Sequence, residues 1–299
     1  MNVLEVRNIK KSFGSKNVLD GVSFSVPENC VFGFIGRNGA GKTTTMRAVL
    51  GLLQIDGGEI EVCGEKVRYG RTPESGCIGF LPDVPEFYGY MNASEYLTLC
   101  GEVTGIGGSE LKKRCSELLS LVGLENEKHR ISGYSRGMKQ RLGIAQALIN
   151  RPKLLLCDEP TSALDPVGRK EILELISAAK EQTSVVFSTH ILSDVERVCS
   201  RVAFLEGGKT AFTGTIEEIH ALRRDTALEL TLVRTEDIER VMAEFPAAEL
   251  TDGRILFREA SEKDSADVMA FLAAQMIPVL RFERHEADIE DLFMEVVGK

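Results

Sequence analysis

Three glycines, Gly36, Gly39 and Gly41, strip the segment GRNGAGKT of bulky side chains just ahead of Lys42 and Thr43. Glycine at this spacing lets a backbone curl round an anion with its peptide N–H groups turned inward. The apolar run Val31 to Ile35 before it reads as a buried strand, and Met46, Val49, Leu50 and Leu53 behind it fall at helical spacing. Strand, loop and helix in that order bring the positive end of a helix dipole to the same anion. Lys42 adds a mobile cation for the β and γ oxygens of a nucleotide, and the Thr43 hydroxyl can ligate Mg2+.

Two adjacent acids close the apolar run of KLLLCDEPTSALDP. Leu154 to Leu156 demands burial on both faces, so Asp158 falls at the tip of a buried strand, where it can hold Mg2+ through water. Glu159 beside it can polarise an attacking water. In YSRGMKQRLGIAQALI, Tyr134, Ser135 and Gly137 precede an amphipathic helix carrying Leu142, Ile144, Ala145 and Leu148. Ser135 and Gly137 there read either as an ordinary N-cap or as a second place where helix amides meet an anion.

Short strand patterns alternate with helices through residue 222, which is the order of an α/β layer domain. LEVRNI, VSFSV, KLLLC and SVVFS read as strands, and RVAFLEGGKTAF as a hairpin turning at Gly207 and Gly208. From about 85 to 150 the pattern turns helical. Asn92 with Glu95 forms a helix-start box, and ELKKRCSELLSLVGL ends on Gly123. This block is expected to be a helical subdomain inserted in the α/β core. ALRRDTA reads as a linker, and 226–299 as a separate small α/β domain with strands LELTLV, RILFRE and PVLRFE and helices EDIERVMAEF, KDSADVMAFLAAQ and ADIEDLFMEVV. A length of 299 residues with 43% hydrophobic content suits one large domain and one small.

The net charge of −9 works against a long polyphosphate partner, so no nucleic acid is expected. Seven cysteines without any CxxC pair are expected to be reduced, packed thiols rather than a disulfide frame or zinc site. The start MNVLEVRNIKKSFG has no signal-peptide core, and no run nears the roughly 18 to 20 apolar residues of a membrane span. Any membrane spans are expected to come from another chain.

Together with SVVFSTH, in which His190 follows a buried strand, these segments resemble, in type and order, the ATP-binding-cassette (ABC) ATPases. The resemblance covers residues 1 to about 222 and makes the fold a P-loop NTPase cassette. It identifies GRNGAGKT as the Walker A loop, adding Asn38, Ala40 and Thr44 to the phosphate-binding set; YSRGM as the signature loop; LLLCDE as Walker B; Ser162 to Asp165 as the D-loop; and His190 as the switch histidine on the γ-phosphate. Phe13 corresponds to the aromatic that stacks on adenine. The implied cofactors are ATP and Mg2+. The implied assembly is a head-to-tail homodimer or cassette heterodimer, in which each ATP lies between one Walker A loop and the partner's Ser135 and Gly137, with Asp165 linking the two sites. Glu159 is then the catalytic base, and Thr43 and Asp158 support the metal.

The sequence departs from the family pattern at several positions. Asp83, in IGFLPD, stands where the family usually has the Q-loop glutamine; a carboxylate can accept from water or meet Mg2+, yet cannot donate as an amide does. Arg136 either adds positive charge to the composite site or faces solvent. Asn29 replaces a customary turn glycine and tolerates the left-handed conformation. Phe87, Tyr88, Tyr90, Met91 and Tyr96 crowd the stretch after Asp83, where ABC transporters receive a helix of the membrane subunit. That position implies a transmembrane permease as partner and a peripheral location on the cytoplasmic face of the membrane. The ending EADIEDLFMEVVGK resembles the tails of bacterial exporter subunits whose permease is a separate polypeptide. Export is therefore expected; a cassette ATPase acting on a macromolecular machine is the alternative, and 226–299 serves either regulation or stability.

Overall fold

Val22, Phe24 and Val26 are buried and Ser23 and Ser25 exposed along strand β2 (Lys16–Pro27), the period-two pattern of a strand with one wet face. It pairs with β1 (Asn2–Phe13), which pairs with β4 (Gly57–Val62) and through it with β5 (Glu65–Lys66), giving an antiparallel sheet β2-β1-β4-β5. By contrast β3 (Val31–Gly36), β7 (Leu154–Asp158) and β8 (Ser184–Thr189) are buried at every residue, as parallel strands covered on both faces must be. With β6 (Ile78–Leu81), β9 (Arg201–Glu206) and β10 (Lys209–Thr215) they form a six-stranded sheet in the order β10-β9-β3-β8-β7-β6, parallel except for the β10 edge.

The computed structural model describes residues 1–71, 76–221, 226–251, 253–257 and 260–286. Its chain divides into two units, Met1–Ile216 and Glu217–Lys299. In the first unit α1 (Lys42–Val49) follows the glycine loop, and α5 (Pro166–Ala179) and α6 (Leu192–Val198) complete the α/β layers. The α1 helix ends at Val49, earlier than the Leu53 spacing implied, because Gly51 turns the chain at φ +69°. The helical block consists of α2 (Ala93–Val103), α3 (Gly108–Leu121) and α4 (Arg136–Ala147). The Asn92–Glu95 box caps α2 in both directions, and Gly123 follows α3 at φ +64°, as their sequences imply. Asn29 takes the left-handed conformation at φ +56°.

A short helix, α7 (Ile216–Ala221), spans the division between the units, which lies upstream of the boundary at 222. The second unit runs β11 (Thr226–Leu232), α8 (Ile238–Glu244), β12 (Glu249–Thr251), β13 (Arg254–Phe257), α9 (Glu262–Ala274) and β14 (Val279–Glu286). Its antiparallel order β12-β13-β11-β14 with βαββαβ connectivity is a ferredoxin-like sheet. Leu228, Leu230, Ile255 and Phe257 of the sheet pack with Val241, Val268 and Leu272 of the helices, a core of its own. The three-residue β12 carries too little pattern to be read from sequence. The expected helix over 287–297 and most of the linker lie outside the described residues.

Five cysteines, Cys30, Cys100, Cys115, Cys157 and Cys199, are free thiols as expected, but Cys63 and Cys77 are joined by a disulfide with Cα atoms 7.3 Å apart. That pairing corrects the expectation of seven reduced thiols. It arises because the turn after β4 lies beside the start of β6, a tertiary neighbourhood that spacing in the sequence does not encode. Burial pushes the Cys30 thiol up to about 11 and those of Cys157 and Cys199 well above their ordinary value.

At Gly79 in β6 an added Cβ would run into the Ala147 carbonyl at the end of α4 and approach Pro152 Cγ to 3.0 Å. Gly79→Ala is expected to destabilise the first unit by about 1–3 kcal/mol through overpacking, read as a lower urea midpoint for the first unit's transition with that of the second unchanged.

Candidate nucleotide site

The strand order β3-β8-β7 decides which side chains meet. Register pairs Ile35 with Thr189 and Asp158 with Ser188, so Gly36, His190 and Glu159 all leave the sheet at its carboxyl edge, side by side. Open parallel sheets bind ligands at that edge, between strands whose connections diverge.

Lys42 lies at the centre of this edge. Its ammonium is buried, 5% exposed, and donates to the carbonyls of Gly36 at 2.7 Å and Arg37 at 3.3 Å while pairing with Glu159 Oε1 at 3.1 Å. The other oxygen of Glu159 lies 2.9 Å from His190 Nδ1, so one carboxylate bridges lysine and histidine. Glu159 adopts φ +46°, a costly conformation for a residue with a Cβ and one often found where a site dictates backbone direction. Ser188 fixes it there. The Ser188 hydroxyl accepts from the Glu159 amide at 3.0 Å and donates to Asp158 Oδ1 at 2.6 Å, with Ser188 and Asp158 both buried.

The cradle fits a polyphosphate. Helix α1 has Gly41 at its N-cap in the left-handed region, φ 111°, and no side chain caps it, leaving the first-turn amides of Lys42, Thr43 and Thr44 to face a ligand. A Cβ on Gly41 would meet Leu19 Cδ2 at 2.6 Å and Val18 O at 3.1 Å, so glycine is required on space as well as on φ. Asn38, Gly39 and Thr43 are exposed and Ala40 is buried beneath them. Were Mg2+ to bind at this edge, the Thr43 hydroxyl and the Asp158 carboxylate are the oxygens that could serve it. Among the described residues no group of three or more His, Cys, Asp or Glu could hold a metal. Phe13 is 51% exposed at the β1–β2 turn, with Lys11 Nζ over its ring at 5.4 Å from the centroid.

The remaining expected residues are placed elsewhere in the unit. Ser135 caps α4 by accepting from the Met138 amide at 3.2 Å, and a Cβ on Gly137 would find only Leu164 Cδ2 at 4.0 Å. With Leu164 and Asp165 they line an open cleft. Asp165 accepts from the Gly168 amide at 2.7 Å, capping α5 of its own chain. Asp83 accepts from Arg136 and Ser162. None of the hydrogen bonds that these residues make among the described residues reaches the phosphate loop.

A family model described as ABC transporter matches residues 19–162. YxlF, an uncharacterized ABC transporter ATP-binding protein of Bacillus subtilis (strain 168), is 36% identical to the chain and covers 99% of both. The chain belongs to the ABC transporter ATP-binding proteins. A Nod factor export ATP-binding protein of Ralstonia nicotianae (strain ATCC BAA-1114 / GMI1000) is 31% identical over 99% of this cassette chain and 94% of its own. A solved ATP-binding subunit of an ABC transporter superposes with a TM-score of 0.65 at 31% identity, covering 74% of this chain and 92% of that one. The chain is thus an ATPase-family subunit of a transporter, and no helix among the described residues is long and apolar enough to cross a membrane.

Ser188 is the site residue that motif reading passes over, because serine in SVVFSTH looks like strand filler; its signal is a buried hydroxyl at the register position opposite Asp158. Ser188→Ala should lower phosphate release at saturating MgATP by about 10–100-fold, as loss of a supporting hydrogen bond to a metal ligand typically does, and a turnover within twofold of wild type would exclude the role.

Proposed function

We propose that this subunit binds MgATP between two copies in head-to-tail arrangement and couples its hydrolysis to export through a separate membrane permease. The observation that carries the reading is the Lys42–Glu159–His190 line beside an uncapped α1, because a cation, a carboxylate and an imidazole in contact at one cradle support the roles of phosphate ligand, base and γ-phosphate contact. ATP with Mg2+ supplies the phosphoanhydride and the charge neutralisation of its oxygens. Gly36, Asn38, Gly39, Ala40, Gly41, Lys42, Thr43 and Thr44 hold the phosphates, Thr43 and Asp158 hold the metal, and Phe13 stacks on the base. Glu159 orients and deprotonates the attacking water, and His190 steadies the γ-phosphate. The partner's Ser135 and Gly137 close the site from the far side, which is consistent with the open face that both present here.

The aromatic cluster after Asp83 supports a permease contact. Phe87 is half-buried, its ring 5.0 Å from Tyr96 in an edge-on arrangement, whereas Tyr88 and Tyr90 are 54% and 66% exposed with centroids 5.9 Å apart. Exposed tyrosines held by packed neighbours are the makings of an interface anchor. Through that contact the subunit sits on the cytoplasmic face of the membrane, with 226–299 as an accessory domain. Export, rather than import, follows from the tail sequence and from the full-length likeness to an export subunit.

Glu159→Gln should slow ATP hydrolysis by roughly 10²–10⁴, the usual contribution of a general base, and leave an ATP-dependent dimer visible by light scattering. A monomeric variant at saturating MgATP would refute the sandwich. Tyr88→Ala with Tyr90→Ala should abolish substrate transport in vesicles containing the permease while solution hydrolysis stays within twofold of wild type; intact transport would remove the docking surface.

A further inference from the structure

The carboxylate of Asp83 is engaged on the face of α4 and on the turn that follows Glu159. Its Oδ1 accepts from Arg136 Nη2 at 3.2 Å and from the Ser162 hydroxyl, and Arg136 Nη2 also reaches Ser162 Oγ at 3.0 Å, closing a triangle. The backbone of Asp83 is held by the same helix: buried Gln140, one turn after Arg136, donates from Nε2 to the Asp83 carbonyl at 2.7 Å. Gly143, a further turn along, lies so near this segment that a Cβ would meet Leu81 Cδ1 at 2.5 Å and Pro85 Cβ at 3.4 Å. Positions i, i+4 and i+7 of α4 therefore form one stripe laid against residues 81–85. Ser162 belongs to the third partner, since its amide donates to the Glu159 carbonyl at 3.0 Å.

The side chains of Arg136 and Asp83 are 42% and 49% exposed, and ion pairs this open contribute little to stability. Their effect is positional. Arg136 is the first residue of α4 and adjoins Ser135, so whatever fixes Arg136 fixes the amides that the proposed function assigns to the partner's nucleotide. An amide at position 83 could share hydrogen bonds with water and a metal; a carboxylate facing a guanidinium is drawn to that cation instead.

We infer that Asp83 and Arg136 act as one positioning unit, a clamp that sets the start of α4 against Ser162 and thereby against Glu159, and that Asp83 serves through this clamp rather than as a metal ligand. The inference rests on the proposed ATP sandwich for its consequence and on geometry alone for the clamp. Within it, losing either charge opens the triangle, because Asp83, Arg136 and Ser162 each bond to the other two.

Asp83→Asn, Arg136→Gln and the double variant, each in the full chain, test this in two ways. For hydrolysis, each single change is expected to lower kcat about 5–20-fold, with the double no worse than the weaker single, as expected for residues that act together. The Mg2+ concentration giving half-maximal rate should stay within twofold of wild type in all three, a readout that simple loss of stability does not move. A tenfold or larger rise of that concentration in Asp83→Asn alone would make Asp83 a metal ligand and overturn the clamp, as would multiplying effects in the double variant. In nucleotide-free protein, amide hydrogen exchange over 81–91 should quicken several-fold in either single variant, and unchanged exchange in Arg136→Gln overturns the clamp. Should the wild type hydrolyse no MgATP, the sandwich fails, and the exchange measurement still decides the clamp.

Discussion

A buried ammonium must be surrounded by oxygen, and in this protein that requirement organises the nucleotide site. Removing a lysine charge from water costs about several kcal/mol unless acceptors replace its hydration. Lys42 finds them in two carbonyls of the loop it terminates and in Glu159, which arrives from a different strand. The pairing therefore ties the loop's shape to the position of Glu159. Glu159 in turn needs its left-handed backbone, its Ser188 contact and its histidine neighbour to stay within reach of Lys42.

Only strand adjacency makes this possible. The residues 36 to 42, 158 to 159 and 188 to 190 are far apart in the chain, yet they leave neighbouring strands β3, β7 and β8 at one edge. The helical block is attached differently, through α4 on residues 81–85 and through the turn after Glu159. A site assembled from rigid strand ends and a separately mounted helical block can hold phosphate in one geometry and vary the position of its second half. That is the division of labour a nucleotide-driven transporter subunit requires.

The sequence made the strands and the phosphate loop legible because their signals are local: apolar runs of three to five residues, glycines at fixed spacing, a capping box at Asn92 and Glu95. That Lys42 and Glu159 serve one nucleotide follows only from the family resemblance, and their direct contact from no reading of the sequence, since no local pattern tells which strand lies next to which. Ser188 and the Asp83–Arg136–Ser162 triangle escaped reading for the same reason, each joining side chains at least 26 residues apart. The Cys63–Cys77 bridge was missed because its sulfurs meet through packing of a turn on a strand, with no motif to announce them. In the second unit the longer helices and strands could be read, and the strand order could not.

Asp165 accepts at Oδ1 from the Gly168 amide at the head of α5. A carboxylate has a second oxygen, so bracing this helix leaves Oδ2 with lone pairs for another donor. A residue in that role can serve its own helix start and a neighbour at once, keeping a cap typically worth about 1 kcal/mol. Whatever meets the turn ahead of α5 therefore meets a stiff edge whose form is set before the encounter.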